Sequence, residues 1–187
     1  MTDPSTLAPT SVLLLQRKIG WICNLVRWAG LIWFVWMLGI FLFVASHRAD
    51  YLDKGLKFNE IDPASISDSA YVLANAVNFA VYVPTAVVVW RLWGLMQGYL
   101  EGDILTIRAA DRLRAVALAG LVAVVTDVIL PPVSTVLISP LLLSKAPVWQ
   151  FLRPIDLFYA LVCGFLLALS AIFRAAVDIA DDNAQIV

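Results

Sequence analysis

Long charge-free runs separated by shorter polar ones dominate this chain. Trp28–Ser46, Ala70–Trp90 and Leu157–Phe173 carry no charged residue, and Ala115–Leu130 is broken only by Asp127. A transmembrane helix needs about 20 predominantly apolar residues, with a range of about 17–25. Hydrocarbon offers the backbone no water, so a run that spans it must satisfy its own amides as a helix. The first, second and fourth runs are long enough as they stand. The third stops at Pro131-Pro132 and gains length by starting earlier, in the polar lead after Thr106. The pattern predicts an all-α integral membrane four-helix bundle with cytoplasmic helical extensions. Its spans are expected near 28–46, 70–90, 110–130 and 155–173 of a single domain, 11–187.

The polar segments carry their own signals. Residues 1–10 form a proline-containing tail, expected to be mobile. Between Ser11 and Arg27, Val12, Leu15, Ile19 and Ile22 make one helical stripe, which predicts an interfacial lead into the first span. In the loop 47–69, Ile61-Asp62-Pro63 reads as a turn and Ser67-Asp68 as a helix start. Within Arg91–Arg114, Leu92, Leu95, Met96 and Tyr99 continue the period of span two. Gly102 then suits positive φ at a helix end, and Thr106 suits the cap of the next helix. Pro131, Pro132, Pro140 and Pro147 punctuate 131–150, which is therefore expected not to form a regular spanning helix. An interfacial loop is favoured there over a re-entrant element, because irregular backbone exposed to lipid is costly.

Composition sharpens the class. Of 187 residues, 61% are hydrophobic and 14% charged, against about 45–50% and 25% in soluble domains. Mean hydropathy is +0.86. An ordinary soluble enzyme and a disordered chain are excluded, and a net charge of −1 gives no basic reservoir for direct nucleic-acid binding. With the N-terminus inside, eight Lys/Arg fall on the inner side and five on the outer, so both termini are expected in the cytoplasm of a plasma (inner) membrane protein. Trp21, Trp28, Trp90, Trp93 and Trp149 fall near interfaces, whereas Trp33 and Trp36 lie deeper and are expected to fill helix contacts. Val44-Ala45-Ser46 looks like a signal-peptide cleavage site, but the run before it exceeds the usual ~7–15 apolar residues, so a retained span is expected. Cys23 and Cys163 fall in different zones and suggest no disulfide.

Candidate chemistry is sparse. The sole histidine, His47, sits at an interface, and no HExxH, GxSxG, P-loop or CxxC occurs. No catalytic, cofactor-binding or metal role is expected. Asp127 is an ionisable residue within a span and therefore a functional candidate; pairing with Arg153 at the outer end is the favoured reading, a proton or ion path the other. Asp156 follows Pro154 where a carboxylate offsets the helix dipole. Tyr71, Asn75, Asn78, Tyr82 and Thr85 share one face of span two, either as interhelical contacts or as the wall of a polar cavity. Pro84 interrupts the same helix and is expected to kink it. At the cytoplasmic ends, Arg108, Arg112 and Arg114 prolong span three, and Asp178, Asp181 and Asp182 prolong span four. They either pair within the subunit or form a docking face.

Tyr99, Gly102, Ile104-Leu105-Thr106, Ala109-Ala110, Leu113 and Arg114 resemble the inner hairpin of bacterial four-span proteins of the domain-of-unknown-function 2975 family. The tail Ala176, Ile179-Ala180-Asp181-Asp182-Asn183 and Ile186-Val187 is similar to that family's acidic-Asn-hydrophobic ending, with Asp182 where glutamate is usual and Leu105 where phenylalanine is. The resemblance implies a four-span fold in the membrane and no established activity. It also implies a signalling role, since relatives are encoded beside small helix-turn-helix regulators. The leading expectation is a non-enzymatic membrane protein that engages a cytoplasmic regulator through Tyr99, Gly102, Thr106, Arg108, Arg112, Arg114, Asp178, Asp181, Asp182 and Asn183. An oligomeric channel or transporter subunit, lined by the span-two face and Asp127, is the second class. An accessory subunit of a larger membrane complex is the third. The partners to be expected are the lipid bilayer, a cytoplasmic regulator protein or a membrane complex, and further copies of the chain in a homo-oligomer.

Overall fold

The computed structural model describes residues 10–48, 66–104, 106–138 and 152–185, with backbone alone for 10–18, 181 and 183–185. The described residues hold five helices: α1 Thr10–Ser46, α2 Asp68–Ala80, α3 Tyr82–Glu101, α4 Ile107–Ile138 and α5 Pro154–Gln185. They supply four stretches long and apolar enough to cross a membrane, α2 and α3 together making the second. The protein is thus an all-helical, multi-pass membrane protein. The tail at 1–9, the turn at 61–63 and the segment 139–150 lie outside the described residues.

Local chemistry sets the helix ends. Ser67 caps α2, its side chain accepting from the Ala70 amide at 3.2 Å, and Asp68 stands in the first turn where its charge offsets the dipole. Pro84 supplies no amide to the Ala80 carbonyl, and its ring crowds that turn. The second span accordingly breaks at Val81, whose amide bonds the Asn78 carbonyl three residues back at 3.2 Å. α3 ends at Gly102, which takes φ 99° and ψ 0°. Its amide donates to the Tyr99 carbonyl at 3.3 Å and that of Asp103 to the Gly98 carbonyl at 2.9 Å, the paired bonds of a Schellman ending. Thr106 then caps α4, accepting from the Ala109 amide at 3.1 Å.

The lead and first span form one continuous helix of 37 residues, about 55 Å long against a hydrocarbon core of about 30 Å. Two expectations need correction. α4 does not stop at Leu130 but continues through Pro131 and Pro132 to Ile138. Proline's fixed φ is compatible with a helix, and the Ser134 and Thr135 hydroxyls both donate to the Pro131 carbonyl at 2.8 Å, bracing the turn beyond it. Finally, Trp33 and Trp36 do not fill helix contacts; they are 54% and 66% exposed. Among the described residues α1 packs mainly on α3, so one stripe meets protein and the rest of its surface is left for lipid.

Packing follows chain order. α1 lies on α3, α2 and α3 on α4, and α4 on α5; among the described residues the first span makes no substantial contact with the third or fourth. The core lies toward the α3–α4 hairpin, where Leu95, Leu113 and Val116 are buried beneath Met96, Tyr99, Leu166 and Phe173. Buried Ala74, Ala109, Ala110 and Ala117 let backbones approach without needing large side chains to interlock. α4 also lies close on α5, where a Cβ added at Gly120 would lie 2.6 Å from Cys163 Sγ. In the native background the overpacking of Gly120→Ala, about 1–3 kcal/mol, is expected to outweigh the gain in helix propensity, about 1 kcal/mol. With Cys163→Ala alongside, the clash is gone and the same substitution should turn stabilising. A denaturant titration of the double-mutant cycle in detergent checks the change of sign.

Candidate functional site

Two polar regions lie along α4, one around Asp127 and one at its hairpin end. In the first, Arg153 reaches from the start of α5 to Asp127, with which it forms an ion pair. The same guanidinium grips Asp156 with two bonds, Nη2 to Oδ1 at 2.9 Å and Nε to Oδ2 at 3.2 Å. The backbone amide of Arg153 adds a third at 2.9 Å to Asp156 Oδ2, so this carboxylate also caps the helix. Asp156 is only 2% exposed. Its hydrogen bonds hold the Arg153 guanidinium above its ordinary pKa, the nearby Asp127 charge adding to the effect. The guanidinium bridges carboxylates on α4 and α5, and the group reads as an electrostatic anchor between spans three and four.

This anchor is not at the tip of the assembly. α4 runs eleven residues beyond Asp127, about 16 Å. Tyr71 near the start of α2 donates from its hydroxyl to the Ala45 carbonyl at 3.0 Å, and Arg48 pairs with Asp68. Those contacts tie the first two spans together at the ends away from the α3–α4 hairpin, whereas α5 begins level with Asp127, well inside the end of α4.

The span-two stripe is bonded locally. Besides Tyr71, Asn75 donates from Nδ2 to the Tyr71 carbonyl at 2.9 Å, and Thr85 from Oγ1 to the Val81 carbonyl at 3.0 Å. Tyr82 packs its ring on Phe41 at 5.1 Å and Phe79 at 6.3 Å, and Asn78 is half-buried, its carbonyl taking the Val81 amide. Among these described residues Tyr71 donates across to another helix, whereas Asn75 and Thr85 bond back within the second span. At the end of α1, His47 lies with Nδ1 2.8 Å from the Phe43 carbonyl, a helix-end contact.

The hairpin end is the second region. Arg112 lies across Gly98, where an added Cβ would meet its Nη1 at 1.8 Å, and pairs with Asp103 at 3.7 Å. Tyr99 is half-buried against the core, and Gly102 and Thr106 shape the turn as described. Of the two alternatives for Arg108, Arg112 and Arg114, pairing with the α5 acids does not occur among the described side chains. Arg112 is bound within the hairpin, and Arg174 pairs with Asp111 at 3.4 Å. Arg108, Arg114, Asp178 and Asp182 are exposed and make no ion pair among the described residues. The rotation of each helix decides this, and charge count along the chain does not encode rotation. The side chains of Asp181 and Asn183 lie outside the described residues.

Sequence reasoning overlooked one link on this side. Arg27 donates to Gln97 Oε1 at 2.7 Å, Gln97 donates to Glu101 at 2.7 Å, and the Arg27 guanidinium stacks on Trp93 at 4.1 Å. The chain Arg27–Gln97–Glu101 fastens the first span to the hairpin. Its one sequence signal is a cation directly before an apolar run that opens with Trp28, whose ring meets Trp93 edge-on at 5.4 Å.

No curated protein and no solved structure matches the chain. Residues 57–187 match the family model described as Protein of unknown function (DUF2975), a stretch holding the hairpin and the second to fourth spans, and the chain belongs to that family.

Proposed function

We propose that this is a non-enzymatic membrane protein whose hairpin end, in the cytoplasm, docks a regulatory protein. One observation carries the reading. Beyond the apolar spans, Arg108 on α4 and Asp178 and Asp182 on α5 stand exposed and without an ion-pair partner among the described residues. The Schellman ending and the Arg112–Asp103 pair hold the hairpin in shape. A charged face already ordered before contact lowers the entropy lost on binding. The Lys/Arg bias supports the cytoplasmic side, and the lack of a catalytic motif in the sequence supports a binding role.

A conducting path along span two has less support. The polar groups of Tyr71, Asn75 and Thr85 are bonded to carbonyls, and Asp127 is held by Arg153.

A photo-crosslinker placed at Arg108 in native membranes is expected to give one discrete protein adduct. Asp178→Ala with Asp182→Ala should abolish it, and a crosslinker at the exposed span residue Val125 should not give it. The same adducts from every variant would remove the docking role.

A further inference from the structure

A groove of about 350 Å³ runs between α4 and α5 at the hairpin end. Leu118, Leu167 and Ala171 line its apolar part, and Asp111, Arg114 and Arg174 its charged part. The order along the helices matters. Leu118 and Leu167 belong to the apolar spans, while Asp111 and Arg174 lie one to two turns nearer the helix ends that flank the hairpin. The groove is therefore amphipathic along its length, oily toward the membrane interior and cationic toward its surface.

Its charges do not cancel. Arg174 shares Asp111 at 3.4 Å, and Arg114 has no ion-pair partner among the described residues. The remaining polar group of the lining, the Ser170 hydroxyl, donates to the Leu167 carbonyl at 2.7 Å. Two guanidiniums against one carboxylate leave one net positive charge at the membrane surface. Guanidiniums bind phosphate oxygens through paired N–H donors, and basic pockets between transmembrane helices suit anionic head groups.

We infer that this groove binds an anionic phospholipid of the leaflet on the hairpin side, its phosphate between Arg114 and Arg174 and an acyl chain along Leu118 and Leu167. The inference is independent of the protein-docking face, which uses Arg108, Asp178 and Asp182. A soluble anion would find the same guanidiniums but no use for the apolar walls. That difference commits the groove to lipid.

The test is native mass spectrometry of the delipidated full chain in detergent, titrated with phosphatidylglycerol, phosphatidylcholine or inorganic phosphate. Phosphatidylglycerol should bind in preference to phosphatidylcholine. Arg114→Gln should weaken it about fivefold and the Arg114→Gln/Arg174→Gln pair by about that factor again, from the usual contribution of a basic residue at a membrane surface. Asp111→Asn, which frees Arg174, should tighten binding. Ala171→Met, which leaves every charge in place, should narrow the groove and lower the bound fraction; it also serves should the arginine variants not fold. Equal retention of the two lipids, or unchanged binding in folded Arg114→Gln, would overturn the assignment. So would displacement of the lipid by inorganic phosphate at matched concentration, which would mark an ion site.

Discussion

Asp156→Ala is expected to lower the unfolding free energy by about 2–3 kcal/mol, less than the about 3–5 kcal/mol of a fully buried charge pair because Arg153 keeps half its solvent exposure. The substitution removes three hydrogen bonds from Arg153 and the cap of α5 together. Asp127→Asn removes one partner of the same guanidinium, but this pair is 52% and 40% exposed in its side chains, so about 1 kcal/mol or less is expected. Denaturant titration in detergent measures both. The reverse order would mean that Asp127 and not Asp156 anchors the start of span four, and equal losses that the two carboxylates share that role.

Gly102→Val carries the next largest effect, about 2 kcal/mol. At φ 99° the backbone of Gly102 lies where a Cβ meets the following carbonyl, which costs about 1–2 kcal/mol for an ordinary L-residue and more for a β-branched one. The two Schellman bonds and the Arg112–Asp103 pair depend on that turn. Gly102→Ala should therefore lose less than valine, and both should raise the rate of proteolytic nicking in the hairpin while the helix content holds. Wild-type nicking in the valine variant would show that the turn tolerates another backbone.

Much of this architecture is legible residue by residue. Charge-free runs announce the spans because lipid leaves the backbone one solution, and Ser67, Gly102 and Thr106 announce helix ends because their side chains or lack of one act within a few residues. Pro131-Pro132 misleads for a related reason. Proline forbids a hydrogen bond but not a helical φ, and local rules cannot see that Ser134 and Thr135 brace the turn beyond it. Trp33 and Trp36 mislead because both lipid and protein accept an aromatic ring, so hydrophobicity in a membrane does not say which face is inside. Of the charged residues, Asp127 and Arg153 are matched by depth because Pro131-Pro132 reads as the end of the third span; α4 runs on, and the pair forms because α5 starts level with Asp127. The hairpin arginines and α5 acids crowd one region with several possible partners, and there helix rotation chooses Asp103 for Arg112 and Asp111 for Arg174.

The side-by-side order of the helices bears on how the chain is made. Each span after the first packs on the one immediately before it in the chain, so a segment leaving the ribosome meets a docking surface that has already been made. Contacts this local in sequence favour rapid, stepwise assembly. Biogenesis can then proceed one helix at a time, the last span being fastened by the clasp at its own first turn.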